Sequence, residues 1–141
     1  MIDKTFVHTF FACQNTVVRI QGKIKSVSLE GCKKITLFVH DVVSEVNIMN
    51  CQGIKIFALG KLNQVTIEST SEVTINLKHA NKGCKVATTC TRSIWLRWPK
   101  PEADDNDDDN ENWFRQPIAE TYETILFEGK ELQTKPMESL E

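Results

Sequence analysis

This sequence lacks long apolar runs and lacks a large excess of charge of either sign. None of its 141 residues lies in an apolar run of about eighteen, so a membrane-spanning helix is not expected. Seventeen Lys and Arg balance nineteen Asp and Glu, and the net charge of −2 provides no overall field that favours nucleic acid or an anionic membrane. Because polar groups occur throughout the first twenty residues, we expect a cytoplasmic protein without a signal peptide.

The five cysteines also lack the spacing of a metal site or a disulfide framework. They include no C-x-x-C pair, and an odd number of thiols cannot all pair within one chain. Cys13, Cys32 and Cys51 are each nineteen residues apart, and the same column continues with Thr70 and Thr89. Such a column is typical of small side chains packed at one corner of a repeating backbone. We therefore expect reduced structural thiols, no metal and no cofactor.

What the sequence does contain is a nineteen-residue repeat. Written in rows of that length, the chain shows columns of mostly apolar residues, and paired columns lie two residues apart, as on a β-strand. The columns are Val18, Leu37, Ile56, Ile75, Ile94; Ile20, Val39, Ala58, Leu77, Leu96; His8, Val27, Val46, Val65, Cys84; Phe10, Leu29, Ile48, Ile67, Val86; Ile24, Val43, Leu62; and Ile35, Ile54, Val73. Each row predicts one coil of a solenoid, and about five stacked coils form an all-β parallel β-helix.

A β-sandwich is the alternative architecture, because it is also built from short strands at intervals of about eight to twelve residues. Strands of a sandwich have no reason to keep one class of side chain at a fixed offset along the chain. The repeat therefore favours the parallel β-helix, which we assign to residues 1–98.

The composition changes after this repeat. Residues 99–112 begin with Pro99-Lys100-Pro101 and continue with mostly Asp, Glu and Asn. Like charges repel one another and expose no apolar surface, so this run is predicted to be an acidic linker, with an acidic interaction site as the alternative. It lacks the glycine and the closing glutamate of an EF-hand calcium loop.

Residues 113–141 become apolar again and form the predicted C-terminal tail. Alternation through Thr124–Leu132 predicts a β-hairpin that turns at Glu128-Gly129. An open solenoid end exposes strand edges, so the tail is expected either to fold back over its own coils or to cross to a second subunit. The side chains predicted for this contact are Trp113, Phe114, Tyr122, Ile125, Leu126, Phe127 and Leu132.

Four short motifs occur in a fixed order: Gln21-Gly22-Lys23-Ile24-Lys25, Gly31-Cys32-Lys33-Lys34-Ile35, His40-Asp41-Val42-Val43 and Gly60-Lys61-Leu62. In this order the chain resembles the C-terminal domain of adenylyl cyclase-associated proteins, from about Phe6 to Trp98. The resemblance implies a right-handed parallel β-helix that dimerises by exchanging its C-terminal strands. It also implies a cytoskeleton-associated module, not an enzyme, that binds ADP-loaded monomeric actin and promotes the replacement of ADP by ATP.

A cationic surface would suit the acidic surface of actin, and basic residues lie between the apolar columns. The predicted contacts are Lys23, Lys33, Lys34 and Lys61, which lie in the matching motifs, followed by Lys25 and Lys55. If they gather on a common outer wall, such a strip would act on the association rate and specificity of a charged partner. For each lysine the alternative is an ordinary solvated side chain.

Two other functions are open to a β-helix of this type. Tubulin-folding cofactor C and its relatives stimulate GTP hydrolysis with an arginine from a Gln-x-Arg-x-His pattern. The nearest stretch here is Gln64-Val65-Thr66-Ile67-Glu68, and its Thr66 replaces the arginine, which disfavours that function. The other alternative is a purely structural dimerisation module, which the aromatic tail supports.

Overall fold

The computed structural model describes residues 7–81, 83–100, 113–118, 122–127 and 131–136, with side chains described for 7–79, 81, 83–100 and 113–118. Within these residues the chain is a parallel β-solenoid of about five turns. The predicted all-β class and parallel β-helix are confirmed, and the β-sandwich is excluded. No helix of the described residues has the length and apolar character needed to cross a membrane.

The strands alternate between two faces of the solenoid. The described strands are β1 Val7–Phe11, β2 Gln14–Glu30, β3 Lys33–Met49, β4 Gln52–Ala58, β5 Gln64–Glu68, β6 Ser71–Asn76, β7 Lys85–Thr89, β8 Arg92–Pro99, β9 Trp113–Ile118, β10 Tyr122–Phe127 and β11 Glu131–Pro136. The first face contains the first halves of β2 and β3, followed by β4, β6, β8 and β9. The second face contains β1, the second halves of β2 and β3, and then β5, β7, β10 and β11.

Inward side chains stack in files across the coils, as the repeat predicts. One file on the first face consists of Val18, Leu37, Ile56 and Ile75, and one on the second face of Leu29, Ile48 and Ile67. Each of these side chains is at most 9% exposed. Parallel neighbours lie about 4.8 Å apart, so every file is a continuous column of apolar contact. Burial of one such side chain contributes about 1.5–3 kcal/mol.

The fifth coil departs from the nineteen-residue period. Its offset from the coil before is 21 residues, because the connection that contains the 3₁₀ turn His79–Asn81 is longer. Asn81 fixes this connection: its Oδ1 accepts from Lys78 N at 2.8 Å, and its Nδ2 donates to Gly60 O at 3.0 Å. The column ends predicted from the sequence are therefore wrong. The observed partners are Ile75 with Leu96, Val73 with Ile94, Val65 with Val86 and Ile67 with Thr88.

A short side of the solenoid connects the first face to the second. The predicted column of Ile24, Val43 and Leu62 lies there, and its middle position is wrong. Ile24 pairs with Val42, and Val42 pairs with Leu62. Val42 is 1% exposed, whereas Val43, which the sequence analysis placed in this column, is 42% exposed. The register shifts on both sides of this pairing, and a shift of one residue turns a side chain from the interior to the solvent.

Small side chains form a hydrogen-bonded ladder at the tight corner that leads from the second face to the first. Cys32 N donates to Cys51 Sγ at 3.4 Å, and Cys51 N donates to Thr70 Oγ1 at 3.2 Å. Both cysteines are buried, which confirms their predicted packing role. The last position of the ladder is Thr91 and not the predicted Thr89, because Arg92 N donates to Thr70 O at 3.1 Å.

Burial also keeps the thiols of Cys51 and Cys84 protonated. It raises the pKa of Cys51, and it raises the pKa of Cys84 to about 12. In both cases the main cause is that the thiolate would lose its hydration in the apolar interior. Such groups behave as small apolar side chains at neutral pH.

The tail covers the C-terminal end of the solenoid in this single chain. Strand β9 pairs antiparallel with β8, and β10 pairs antiparallel with β7. Phe114 and Ile118 pack against the core, and the ring centroids of Phe114 and Trp98 are 5.4 Å apart. The predicted hairpin is confirmed by the pairing of Phe127 with Glu131, although its turn lies outside the described residues.

Two predictions about this end of the chain stay predictions. Of the residues proposed for dimerisation, Tyr122, Ile125, Leu126, Phe127 and Leu132 have side chains outside the described set. Their backbone lies in β10 and β11, which add to the second face. Exchange of these strands with a second subunit is not tested by one chain. Residues 101–112 of the predicted acidic linker also lie outside the described residues.

The corner ladder leads to a stability prediction for Thr70. Its Oγ1 accepts from Cys51 N and donates to Glu68 O at 2.7 Å. Thr70→Val keeps the shape of the side chain but removes both contacts, so we expect the free energy of unfolding to fall by about 1–3 kcal/mol. Thr70→Ser keeps the hydroxyl and is expected to lose less. Urea unfolding followed by tryptophan fluorescence measures both, and equal losses would contradict a role for the hydroxyl.

Candidate functional site

The six predicted lysines stand at different places on the solenoid and do not form one strip. Lys23 and Lys61 line a cavity on the short side, Lys33 and Lys34 begin β3 at the tight corner, Lys55 projects from the first face, and Lys25 is exposed beside the register shift of β2. The expectation of a common outer wall for these groups is therefore corrected, because they occupy different positions within each coil. Their role in binding actin stays a prediction.

The cavity on the short side has a volume of about 250 Å³ and contains an acidic as well as basic groups. Asp41 lies between the two lysines: it is the Cα partner of Lys23, and its Oδ1 accepts from Lys61 N at 2.8 Å. Asn63 Nδ2 donates to Val43 O at 2.7 Å and fixes the adjoining segment. The Asp41 carboxylate offsets part of the cationic charge of Lys23 and Lys61.

Lys33 and Lys34 lie where every coil turns through the tight corner. Two positions in each corner have a left-handed backbone: Ala12, Gly31, Asn50, Ser69 and Cys90 in one series, and Asn15, Lys34, Gly53, Glu72 and Ser93 in the other. Lys34 has φ of 55°, and Gly53 takes the same position in the next coil with φ of 69°. The conformation therefore belongs to the corner and not to Lys34 in particular. Both lysine side chains are exposed.

Three arginines that lie far apart in the sequence are aligned on the outer surface of the first face. Outward positions alternate with the buried ones, so they also stack from strand to strand. We name the following stack the first-face file: Arg19, Phe38, Phe57, Asn76, Arg97 and Arg115. The basic residues of this file are three arginines. Of the six predicted lysines, Lys55 lines a cavity together with two of them, Arg97 and Arg115.

Stacked rings and guanidinium groups make up the N-terminal part of this file. The Arg19 Cζ atom lies 4.7 Å from the centroid of the Phe38 ring. The Phe38 and Phe57 rings stack with centroids 4.9 Å apart and planes 15° from parallel. A guanidinium over an aromatic face is attracted by the quadrupole of the ring, so this arrangement holds Arg19 against the sheet.

The C-terminal part of the file is built by β8 and β9 together. The Arg97 Cζ atom is 5.1 Å from the centroid of the Trp113 ring, and the Arg115 Cζ atom is 4.0 Å from that of Trp95. Arg97 Nη1 also donates to Asn76 Oδ1 at 2.8 Å. Two arginines on adjacent strands are thus each held over an indole ring of the opposite strand.

These groups surround a cavity of about 530 Å³. Its lining combines cations, aromatic rings and neutral polar groups: Lys55, Phe57, Thr74, Asn76, Arg97, Trp113 and Arg115. Asn76 is 6% exposed and its Nδ2 donates to Ile56 O at 3.1 Å, so the floor of the cavity is fixed to the sheet. The sequence signal for part of this site was the outward column Arg19, Phe38, Phe57 and Asn76.

The stretch compared with the GTPase-activating pattern lies on β5 of the second face. Thr66 Oγ1 donates to Glu45 Oε2 at 2.8 Å, and Gln64 Nε2 donates to Thr66 Oγ1 at 3.2 Å. The position expected for an arginine therefore holds a hydroxyl bound to a carboxylate. The outward side chains of β5 are Gln64, Thr66 and Glu68, none of which is a cation.

The geometry defines a parallel β-solenoid with charged and aromatic surfaces suited to binding. A family model described as "Adenylate cyclase associated (CAP) C terminal" matches residues 3–139, and the chain belongs to this family. The resemblance drawn from its short motifs is confirmed.

Similarity to individual proteins agrees with this family. Adenylyl cyclase-associated protein 1 of Bos taurus is 28% identical over 124 residues, which are 88% of this chain and 24% of that protein. The adenylyl cyclase-associated protein of Dictyostelium discoideum is 30% identical over 125 residues, which are 89% of this chain and 25% of that protein. The chain therefore spans about a quarter of the length of these relatives.

A solved structure shows the same fold. The crystal structure of cyclase-associated protein from Cryptosporidium parvum superposes with a TM-score of 0.62 and 20% identity, covering 97% of this chain and 93% of that one. At this identity the likeness concerns the fold and not the side chains of the surface.

The short-side cavity depends on a glycine, which leads to a second stability prediction. A Cβ atom on residue Gly60 would lie 2.5 Å from Asp41 Oδ1 and 2.7 Å from His40 O. We expect Gly60→Ala to lower the free energy of unfolding by about 1–3 kcal/mol, because backbone must move to make room. The midpoint of urea unfolding measures the change.

A matched control for Gly60 separates close contact from backbone freedom. At Gly83 an added Cβ meets nothing within 4 Å, but φ is +85°. Gly83→Ala should therefore show only a conformational cost of about 1–2 kcal/mol. The steric explanation fails if Gly60→Ala unfolds at the same urea concentration as the unchanged protein.

Proposed function

We propose that this domain binds monomeric actin, with preference for the ADP-loaded form, and promotes the replacement of ADP by ATP. Membership of the cyclase-associated C-terminal family over residues 3–139 is the observation that carries the proposal. The exposed cations of the solenoid support it, because they suit a partner with an acidic surface. On this proposal the protein works in the cytoplasm in association with the actin cytoskeleton.

The mechanism is differential binding and needs no chemistry by this chain. If the domain binds actin more tightly when the nucleotide cleft is open, it shifts the population of actin toward the open state. By linkage, the bound domain lowers the affinity of actin for its nucleotide by the same factor by which bound nucleotide lowers the affinity of actin for the domain. Faster release of ADP then lets the more abundant ATP enter.

The proposed contacts are the lysines of the tight corner and of the short side. Lys33 and Lys34 are both exposed and adjacent, which favours them as a local cationic site. Lys23 and Lys61 share the cavity with Asp41, so their field is weaker. We therefore place the larger electrostatic contribution at the corner.

We also propose that the domain forms a homodimer through its C-terminal strands. The support is that the tail strands complete both faces at the C-terminal end of the solenoid, in β9 beside β8 and β10 beside β7. An equivalent pairing can be made with a second copy without changing the strand contacts, which is the requirement for an exchange of strands.

The actin proposal predicts faster nucleotide exchange. A fluorescent ATP analogue should enter ADP-actin faster when the chain is added, and the rate should rise with its concentration to saturation. A variant that combines Lys33→Ala with Lys34→Gly should weaken this effect, since it removes two charges from one place. Glycine is chosen at Lys34 because Gly53 takes the equivalent left-handed position in the next coil.

The matched control for this assay is Lys85→Ala, which removes an exposed lysine from the second face. It should accelerate exchange as well as the unchanged chain does. Absence of both binding and acceleration by the unchanged chain would remove the actin proposal. An unaltered rate with the corner variant would place the contact elsewhere on the solenoid.

The dimer proposal predicts a mass of about twice 16.1 kDa by light scattering during gel filtration. Exchanged strands must unpair before the subunits separate. Two differently tagged preparations should therefore form mixed dimers slowly in buffer without urea and faster in mild urea. A monomeric mass at every concentration would contradict the dimer, whereas rapid mixing without urea would contradict the exchange of strands.

A further inference from the structure

We infer that the first face binds an acidic, extended polypeptide segment, whose carboxylates are held by Arg19, Lys55, Arg97 and Arg115. This inference goes beyond the proposed function, because it concerns a different surface and does not require actin. Three features support it: the distribution of charge between the faces, the position of the arginines over aromatic rings, and the length of the first-face file.

Charge is distributed unequally between the two faces of the solenoid. In the described first-face segments, 14–20, 33–39, 52–58, 71–76, 92–99 and 113–118, the charged residues away from the tight corner are all basic: Arg19, Lys55, Arg97 and Arg115. Lys33, Lys34, Arg92 and the acidic Glu72 lie at the tight corner. In the second-face segments whose side chains are described, 7–11, 26–30, 45–49, 64–68 and 85–89, the acidic residues are Glu30, Glu45 and Glu68, and the basic one is Lys85. The first face therefore has a strong local excess of positive charge, although the net charge of the chain is −2.

The orientation of the aromatic groups favours oxyanions over nucleobases. Phe38 is covered by Arg19 and stacked on Phe57, and Trp95 is covered by Arg115. A base-stacking surface needs exposed ring faces, but here these faces contact guanidinium groups and each other. A guanidinium that lies over a ring face still presents N–H donors at its edges, and these donors suit carboxylate oxygens.

Two of these cations are available to bind an anion. Lys55 and Arg115 are exposed, and no ion pair with a carboxylate is found for either among the described side chains. Both line the cavity of about 530 Å³ together with Arg97. Three cations around one cavity provide a place for a carboxylate side chain, with the Thr74 hydroxyl as a further donor.

The length of the file indicates an extended ligand. It crosses six strands from Arg19 to Arg115. At about 4.8 Å between strands, this distance is roughly 24 Å. A polypeptide that rises by about 3.3 Å per residue spans it with about seven residues. A small anion would use the cavity alone and leave Arg19 unused, so the complete file fits a segment that carries several carboxylates.

The test uses the full chain and a short fluorescein-labelled polyglutamate peptide, with binding measured by fluorescence anisotropy. We expect saturable binding that weakens as salt is added, since exposed charges are screened. Combining Arg19→Gln with Lys55→Gln should weaken binding by about tenfold, because two charge-assisted contacts are removed. Both side chains are exposed, so circular dichroism should show an unchanged fold.

A matched pair of single variants separates this site from general charge attraction. Lys55→Gln removes an exposed lysine from the first face, and Lys85→Gln removes one from the second face. The first should weaken peptide binding several-fold, and the second should leave it within about twofold. Equal losses in the two variants would overturn the inference, as would no binding by the unchanged chain.

Two competitors test the class of ligand. Inorganic pyrophosphate should displace the peptide only at far higher concentration, and displacement at equal concentration would show a small-anion site instead of a segment site. A short oligodeoxythymidine should also compete poorly. Tighter binding of the oligonucleotide than of the peptide would overturn the assignment to an acidic polypeptide. Because actin is absent from every arm, failure here is distinct from failure of the exchange assay.

Discussion

The rest of the structure depends on the parallel register between successive coils. Each strand is hydrogen-bonded to the strand one coil away, so a residue has its counterpart in the next row directly beside it at about 4.8 Å. This constraint acts on both sides of the sheet. It places Leu29, Ile48 and Ile67 in one buried file, and by the same geometry it places Arg19, Phe38 and Phe57 in one exposed file. Core and surface therefore have a common origin.

The corner supports this register where the chain turns. The left-handed positions on either side of the ladder reverse the chain within a few residues, and the ladder side chains bond the backbone of adjacent coils. A cysteine can be replaced by a threonine along the ladder because both offer a small group that donates and accepts. Thr91 Oγ1 is a buried atom without a partner at the end of the ladder, where no further coil follows in the described solenoid.

Much of the fold could be predicted from the sequence, because burial limits which residues an inward position accepts. The columns of Val, Ile and Leu indicated the nineteen-residue period, and the spacing of the cysteines indicated the corner of each coil. The errors lie where the number of residues between equivalent positions of successive coils departs from nineteen, or where the register shifts. The connection around Asn81 is longer, and the register shifts on the short side, which exchanged Val43 for Val42. Neither change alters the apolar pattern enough to be read from it.

The surface was harder to predict, because outward positions accept many kinds of residue. Four of the six predicted lysines are distinguished by lying in the short motifs, yet the six occupy several different parts of the coil. The first-face file is not evident in the sequence, because its arginines lie far apart and the offset of 21 residues moves Arg97 out of the column that contains Asn76. Composition also concealed it, since acidic residues elsewhere in the chain, seven of them in 102–111, bring the net charge to −2.

The first-face file links the surface to the assembly of the domain. Arg19, Phe38 and Phe57 come from the coils, whereas Arg115 and the Trp113 ring that holds Arg97 come from β9 of the tail. Coils and tail must therefore be paired before the file is complete. If β9 is among the strands exchanged in the proposed dimer, the same two groups would be supplied by the second subunit, and the acidic segment would contact both. Binding on this face would then depend on protein concentration, whereas the corner lysines, which lie within one set of coils, would bind equally well in either state.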